Sequence, residues 1–224
     1  MTGLIVVFSG LDGAGKSTQI ELLQHWLRSH KIEPVYLWTR GGYSSGMQSA
    51  KDWLRRSRAN PLPPPGPGSR RQQAFQRSWL RRAWLSLAIL DLLRVHALQV
   101  RFWRLRGRVV ICDRYLPDTW IDFHLNFPQE QVERWLLWKL LLRLAPQPDL
   151  AYLFLVPVEE SLSRSDRKGE PFRDPPNKLR ERLAWYERIA RQQPWRVIDG
   201  LLPVADLHQL IRQDLHSRLG DHAL

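Results

Sequence analysis

The 224-residue chain carries 34 Lys and Arg against 22 Asp and Glu, a formal net charge of +12, with 43% apolar residues and a single cysteine. That length suits one well-buried α/β domain rather than two, and the apolar fraction is ordinary for a folded core. The lone Cys112 excludes an internal disulfide framework and a Cys-based zinc site.

The charge invites a nucleic-acid or anionic-membrane partner. However, the only lysines are Lys16, Lys31, Lys51, Lys139, Lys168 and Lys178, so the basic residues are nearly all Arg. That skew reads as composition bias, part of it useful for holding polyanionic nucleotides, and a nucleic-acid partner is not expected. The start, Met-Thr-Gly-Leu-Ile-Val-Val-Phe, lacks the basic and long apolar regions of a secretory signal. No uncharged apolar run reaches the ~18 residues of a membrane span; Trp135 to Leu144 is broken by Lys139 and Arg143 and reads as a buried helix. A cytoplasmic protein without a membrane partner is expected.

Taken in order, Leu4 to Phe8 reads as a short buried strand and leads into Gly10-Leu11-Asp12-Gly13-Ala14-Gly15-Lys16-Ser17. A helical pattern follows from Lys16 to His30, with Ile20, Leu22, Leu23, Trp26 and Leu27 on its apolar side. Strand, glycine-rich loop and helix together make G-x-x-x-x-G-K-[ST] a phosphate-binding site. Glycines let successive N–H groups converge on phosphate oxygens at the positive end of the helix. Gly10, Gly13, Ala14, Gly15, Lys16, Ser17 and Thr18 are the candidate residues, with Lys16 reaching the β- and γ-phosphates and the Ser17 hydroxyl ligating Mg²⁺. The bland alternative is a glycine-rich turn.

Pro34 to Trp38 reads as a second strand ending at Thr39-Arg40-Gly41-Gly42, which suits an anion-binding turn at a strand end. Residues 59–71 contain Pro-Leu-Pro-Pro-Pro-Gly-Pro-Gly, too poor in backbone donors for a sheet or helix interior, so a surface excursion is expected. A long helical pattern from Gln72 to Arg106 then ends at Gly107.

Arg108 to Asp113 is an apolar strand closing in Asp113-Arg114-Tyr115. A strand terminating in Asp places a carboxylate beside the cation held by the loop hydroxyl, so Asp113 and Lys16 are expected to meet at one sheet edge. Pro117 to Leu144 reads as two helical pieces, and Pro148 to Val156 as another buried strand. The polar segment Ser163 to Asp174 is crowded with cations and suited to folding over phosphates; an ordinary charged loop is the alternative. A helix from Asn177 to Gln193, a strand over Arg196–Asp199 and a final helix from Pro203 to Arg218 complete the chain. Strands alternating with helices imply a five-stranded parallel sheet with helices on both faces and a mobile Arg-rich cap near residues 160–176. The seven histidines show no metal-ligand spacing.

These motifs together resemble thymidylate kinase and its nucleoside monophosphate kinase relatives over nearly the whole chain. The matching pieces are Phe8 to Gln19, Arg40-Gly41-Gly42, Val110 to Tyr115, Pro148-Asp149-Leu150, the Arg-rich segment and Val197-Ile198-Asp199-Gly200. The resemblance implies a P-loop NTPase-type fold, ATP and Mg²⁺, transfer of the γ-phosphoryl to a nucleoside monophosphate such as dTMP, and a homodimer. It further implies that Asp12 sits against the sugar hydroxyl or phosphate of the acceptor, that Arg40 and Arg114 clamp the acceptor phosphate, and that Asp113 holds the magnesium shell. Gly13 stands where some members put an Arg, so the transition-state cation must come from Arg164, Arg167 or Arg173.

Three departures accompany the resemblance. Ser9 stands where members usually carry Glu. Asp122-Phe123 replaces the Tyr-Gln that helps read the base, and the position of a base-reading Arg falls near Leu92, with Arg94 two residues away. The phosphate machinery is therefore expected to be more complete than the thymine reader. The alternatives are another small acceptor, whether a different nucleotide, a nucleoside or a sugar phosphate, or a non-catalytic nucleotide-binding protein docking on a polyanion.

Overall fold

The computed structural model describes residues 3–39, 75–169, 174–192 and 195–219. Arg40, Arg173 and the Pro-rich stretch 59–71, all named from the sequence, lie outside the described residues.

Five strands form one sheet: β1 (Ile5–Gly10), β2 (Val35–Trp38), β3 (Val110–Asp113), β4 (Leu150–Leu155) and β5 (Arg196–Asp199). All four pairings are parallel and the spatial order is β2-β3-β1-β4-β5. Each parallel pairing needs a crossover, and helices supply them: α1 (Lys16–Ser29), α2 (Ser78–Leu105), α3 (Leu116–Asn126), α4 (Leu136–Leu144), α5 (Val158–Lys168), α6 (Pro176–Gln192) and α7 (Val204–Leu219). The fold is the parallel sheet flanked by helices expected from the alternation of elements, and it is the P-loop NTPase-type arrangement that the resemblance implied.

The central strands β1 and β3 are buried on both faces, which is why they read as continuous apolar runs, whereas the edge strands β2 and β5 are partly exposed. Within β1, Val6 and Phe8 join one core cluster with Ile20, Leu23 and Leu27 of α1 and with Leu207, Ile211 and Leu215 of α7. Ile5 and Val7 point the opposite way, into a second cluster with Leu85, Ala88 and Ile89 of α2 and with Trp138 and Leu141 of α4. The alternation follows from the two-residue period of a strand.

The structure refines the expected elements at α2 and α5. The long pattern ending before Gly107 is one helix whose middle, Leu93–Val100, is wound as a π-helix. By length and composition α2 could cross a membrane, and half of its most apolar window is buried inside the protein. The cation-rich segment after β4 begins as an ordered helix: α5 runs to Lys168 and ends at Gly169 in the left-handed conformation.

Candidate active site: a phosphate-binding loop faced by Arg114 and helix α5

Register decides where the polar residues meet. Phe8 of β1 pairs with Asp113 of β3 and Gly10 with Phe154 of β4, so the loop after β1, Asp113-Arg114 and the start of α5 share one sheet edge. Gly10 has φ +132°, and a Cβ there would lie 2.2 Å from the Phe154 carbonyl oxygen, so only glycine lets β1 turn this close to β4. Gly15 caps α1 in the left-handed region without a side-chain cap, leaving first-turn N–H groups of the helix for a ligand.

Lys16 is buried and its Nζ donates to the carbonyl oxygens of Gly10 at 3.0 Å and Leu11 at 2.6 Å. Burial, and next the nearby Arg114, push its ammonium down to about 8, against the opposing pull of Asp12, Asp113 and Asp118. Ser17 and Thr18 are exposed at the loop's end.

Asp113 is buried at the end of β3. Its Oδ2 accepts from the Tyr36 hydroxyl at 3.1 Å, while its Oδ1 has no hydrogen-bond partner among the described residues. A buried carboxylate oxygen without a donor, near the Lys16 ammonium and at the same edge as an exposed serine hydroxyl, is a donor set that fits a hard divalent cation. Among the described residues no cluster of three or more His, Cys, Asp or Glu could hold a metal.

Arg114 follows with φ 75°, an uncommon conformation for a residue with a side chain. Its N–H bonds the Phe8 carbonyl at 2.8 Å, and the side chain turns back over the end of β1. Nη2 donates to Asp12 Oδ1 in a close ion pair. Nη1 reaches the Gly10 carbonyl at 3.5 Å, Asp118 Oδ1 at 3.4 Å and the Tyr186 hydroxyl at 3.3 Å. Burial opposes its charge, but Asp12, Tyr186 and Asp118 outweigh that and raise its pKa further, so the guanidinium is permanently cationic.

Helix α5 packs its first turns on the loop. Ser161 Oγ donates to the Asp12 carbonyl at 2.7 Å, and Arg164 Nη1 donates to the carbonyls of Gly200 at 3.0 Å and Gly13 at 3.4 Å. Arg164 Nε is held by Glu160 at 2.5 Å. Arg167, largely exposed, leans on Ser163 Oγ at 3.1 Å. A cleft of about 290 Å³ opens between Gly13, Ala14, Gly15 and Thr18 on one side and Arg164, Arg167 and Lys168 on the other, with Leu202, Val204 and Leu207 as apolar walls.

Of the residues named from sequence, the structure thus brings together Gly10, Asp12, Gly13, Ala14, Gly15, Lys16, Ser17, Thr18, Asp113, Arg114, Arg164 and Arg167. Arg94, the candidate base-reading residue, pairs with Asp91 one turn away on its own helix at 2.9 Å. Sequence reading missed Ser9, Asp118 and Tyr186 as site residues. Asp118 is four residues past Arg114 on α3, a spacing that faces two side chains together, and that was the available signal. Tyr186 lies 68 residues beyond Asp118 and had none.

Loop, helix dipole, buried lysine, strand-end carboxylate and converging guanidinium groups define a P-loop phosphotransferase. No family model matches the chain. It is 29% identical over 232 residues to the thymidylate kinase of Synechococcus sp. (strain CC9902), covering 98% of this chain and 100% of that protein. It is 26% identical over 227 residues to the probable thymidylate kinase of Pyrococcus abyssi, with 98% and 100% covered. Against the thymidylate kinase of Desulfotalea psychrophila it is 30% identical over 179 residues, 77% of this chain and 73% of the other. The chain belongs to the thymidylate kinase family. It is a kinase acting on small nucleotides, transferring a phosphoryl group to a nucleoside monophosphate, which decides against the binding-only alternative.

Proposed function

We propose that the chain transfers the γ-phosphoryl of ATP to dTMP. The observation that carries the reading is the placement of the phosphate loop between two sets of arginines: Arg164 and Arg167 border the cleft on one side, and Arg114 stands with Asp12 on the other. In this reading the triphosphate lies on the N–H groups from Gly13 to Thr18 with Lys16 at the β- and γ-phosphates, and the base enters the apolar side of the cleft. Gly10 shapes the turn. The acceptor's phosphate lies against Arg114 and Arg40, with Asp12 beside the acceptor's sugar hydroxyl or phosphate. One acceptor phosphate oxygen forms a bond to the γ-phosphorus as the bond from that phosphorus to the β,γ-bridging oxygen breaks, giving ADP and a nucleoside diphosphate. Arg164, Arg167 and Arg173 spread cationic charge around the transferred group. Ser17 and Asp113 would hold Mg²⁺, which supplies neutralisation of the phosphate oxygens when bound. The cytoplasmic location expected from the sequence fits an enzyme that consumes ATP.

A second acceptor, another nucleoside monophosphate, is favoured by one observation. Asp122, at the position expected to help read thymine, is buried in an ion pair with Arg182 of α6 at 2.6 Å, and the same guanidinium holds Asp174 at 2.9 Å. ADP release measured with ATP·Mg²⁺ and dTMP, dUMP, UMP, dCMP, CMP, AMP and GMP in turn decides between them. The highest kcat/KM is expected for dTMP. A better pyrimidine or purine acceptor replaces that reading, and release with none of them removes the proposed reaction.

We further propose a homodimer built on the outer face of α2. Trp79, Leu87, Leu90, Leu98, Phe102 and Leu105 are 45% or more exposed along it. Their spacing of three, four and eight residues makes a second apolar stripe opposite the one on the sheet. At 28 residues the helix is about 42 Å long, enough for a twofold partner to bury the roughly 800 Å² per subunit of a stable dimer.

A further inference from the structure

Ser9 lies directly before the first glycine of the loop, fully buried beside the Arg114 cluster, and it is neutral. The carboxylate nearest to it comes from another element. Asp118 of α3, with none of its surface exposed, accepts from Ser9 Oγ at 2.6 Å, from the Tyr115 N–H at 2.9 Å and from the Tyr186 hydroxyl at 2.7 Å, and faces Arg114 Nη1 at 3.4 Å. A carboxylate with this many donors is fixed in place. Tyr186 completes the frame, since its hydroxyl donates to Asp118 and accepts from Arg114 Nη1.

The two ends of the Arg114 fork are therefore unequal. Nη1 is enclosed by Asp118, Tyr186 and the Gly10 carbonyl. Nη2 rests on Asp12, which is a third exposed and stands on the phosphate loop itself. An incoming phosphate can compete for the Nη2 edge while the Nη1 edge stays anchored.

We propose that Asp118 is the residue that positions Arg114 for the acceptor phosphate, and that it supplies from helix α3 the carboxylate that Ser9 does not supply from strand β1. The proposal rests on the reading of Arg114 as an acceptor-phosphate clamp. It makes the pair interchangeable: a hydroxyl on the strand with a carboxylate on the helix should work as well as a carboxylate on the strand with a hydroxyl on the helix.

The test is steady-state kinetics for dTMP and ATP, with an unfolding midpoint for each protein, on Asp118→Ser, Asp118→Asn, Ser9→Glu and the double exchange Ser9→Glu/Asp118→Ser. Asp118→Ser and Asp118→Asn are expected to raise the dTMP KM by about tenfold or more while the ATP KM stays within about twofold, because only the acceptor clamp is loosened. Ser9→Glu alone places two carboxylates in contact and lowers the midpoint. The double exchange is expected to return the dTMP KM to within about threefold of the parent, a strong coupling between the two positions. The proposal is overturned if the Asp118 variants leave the dTMP KM unchanged, if both KM values rise together, or if the double exchange is no better than Asp118→Ser. Should Asp118→Ser fail to fold, recovery of folding by the double exchange supports the relocation and its failure overturns it. Arg114→Lys separates the two layers. An unchanged dTMP KM in that variant removes the clamp reading and with it the positioning role, whereas coupled midpoints in the exchange series still report the relocated carboxylate.

Discussion

Arg164 and Gly13 occupy one another's space. A Cβ on Gly13 would lie 3.2 Å from the Cβ of Arg164 and 2.8 Å from the Ser161 carbonyl oxygen, at a φ of +73°. Helix α5 therefore fills the volume that a longer residue in the loop would need, and it brings its own guanidinium to the Gly13 carbonyl. This contact is the basis for the proposal that Arg164 supplies the cation that the loop does not carry.

Removing that cation should cost rate more than affinity. Arg164→Ala is expected to lower kcat by about 10²–10³-fold, the range for losing one preorganised charge, with the ATP KM changed only a few-fold. Gly13→Arg does not restore the lost function. It forces α5 off the loop, so its unfolding midpoint falls. Turnover and differential scanning calorimetry on the two variants check both outcomes.

Lys16 gives donor binding a pH dependence. Its ammonium is held near 8 in the unliganded protein because burial and Arg114 oppose the charge, and bound phosphates must drive it back up. Below pH 8 the cation is already present. Above it, nucleotide binding has to take up a proton, so ATP affinity should fall by up to about tenfold per pH unit. Calorimetric titration of ATP between pH 6.5 and 9.5, repeated in buffers of different ionisation enthalpy, measures the uptake. A flat profile contradicts the placement of Lys16.

His96 gives the fold an acid-labile point. It is fully buried in the π-helical turn of α2, stacked edge-on to Tyr115 at 4.4 Å, and neither ring nitrogen has a hydrogen-bond partner among the described residues. Burial pulls its pKa down to about 3 from an ordinary 6.5. The unfolded chain thus binds more protons between those values, and stability rises with pH through that window and is lost on acidification. The loss is of the order of a few kcal/mol. His96→Leu, similar in volume and uncharged, is expected to flatten the dependence of the urea midpoint on pH between 6.5 and 4. An unchanged slope assigns the acid limb to other groups.

The α2 stripe predicts the assembly state. Sedimentation equilibrium of the protein should give twice the 26.4 kDa chain mass, and Leu87→Glu with Leu98→Glu should give a folded monomer. Both residues are about half exposed or more, so the charges are tolerated in the monomer and opposed only at an interface. A monomeric parent protein removes the proposal.

Much of this molecule is local and so is written in the chain. The strand from Ile5, the loop to Ser17 and helix α1 follow from an apolar run, glycines and a helical repeat within thirty residues, and β5 lies over Arg196–Asp199 as its pattern indicates. Gly107, at φ 71°, ends the long helix segment for the same local reason. The order of the strands, the packing of α5 on the loop and the meeting of Ser9, Arg114, Asp118 and Tyr186 are decided by tertiary structure. Their partners are up to 151 residues apart, and no short-range repeat encodes which residues a parallel sheet will carry to the same edge. Sequence spacing specified the residue types of a phosphate site. Only the packed sheet determined which carboxylates hold its arginines, because a buried charge is settled by what surrounds it in space rather than by its neighbours along the chain.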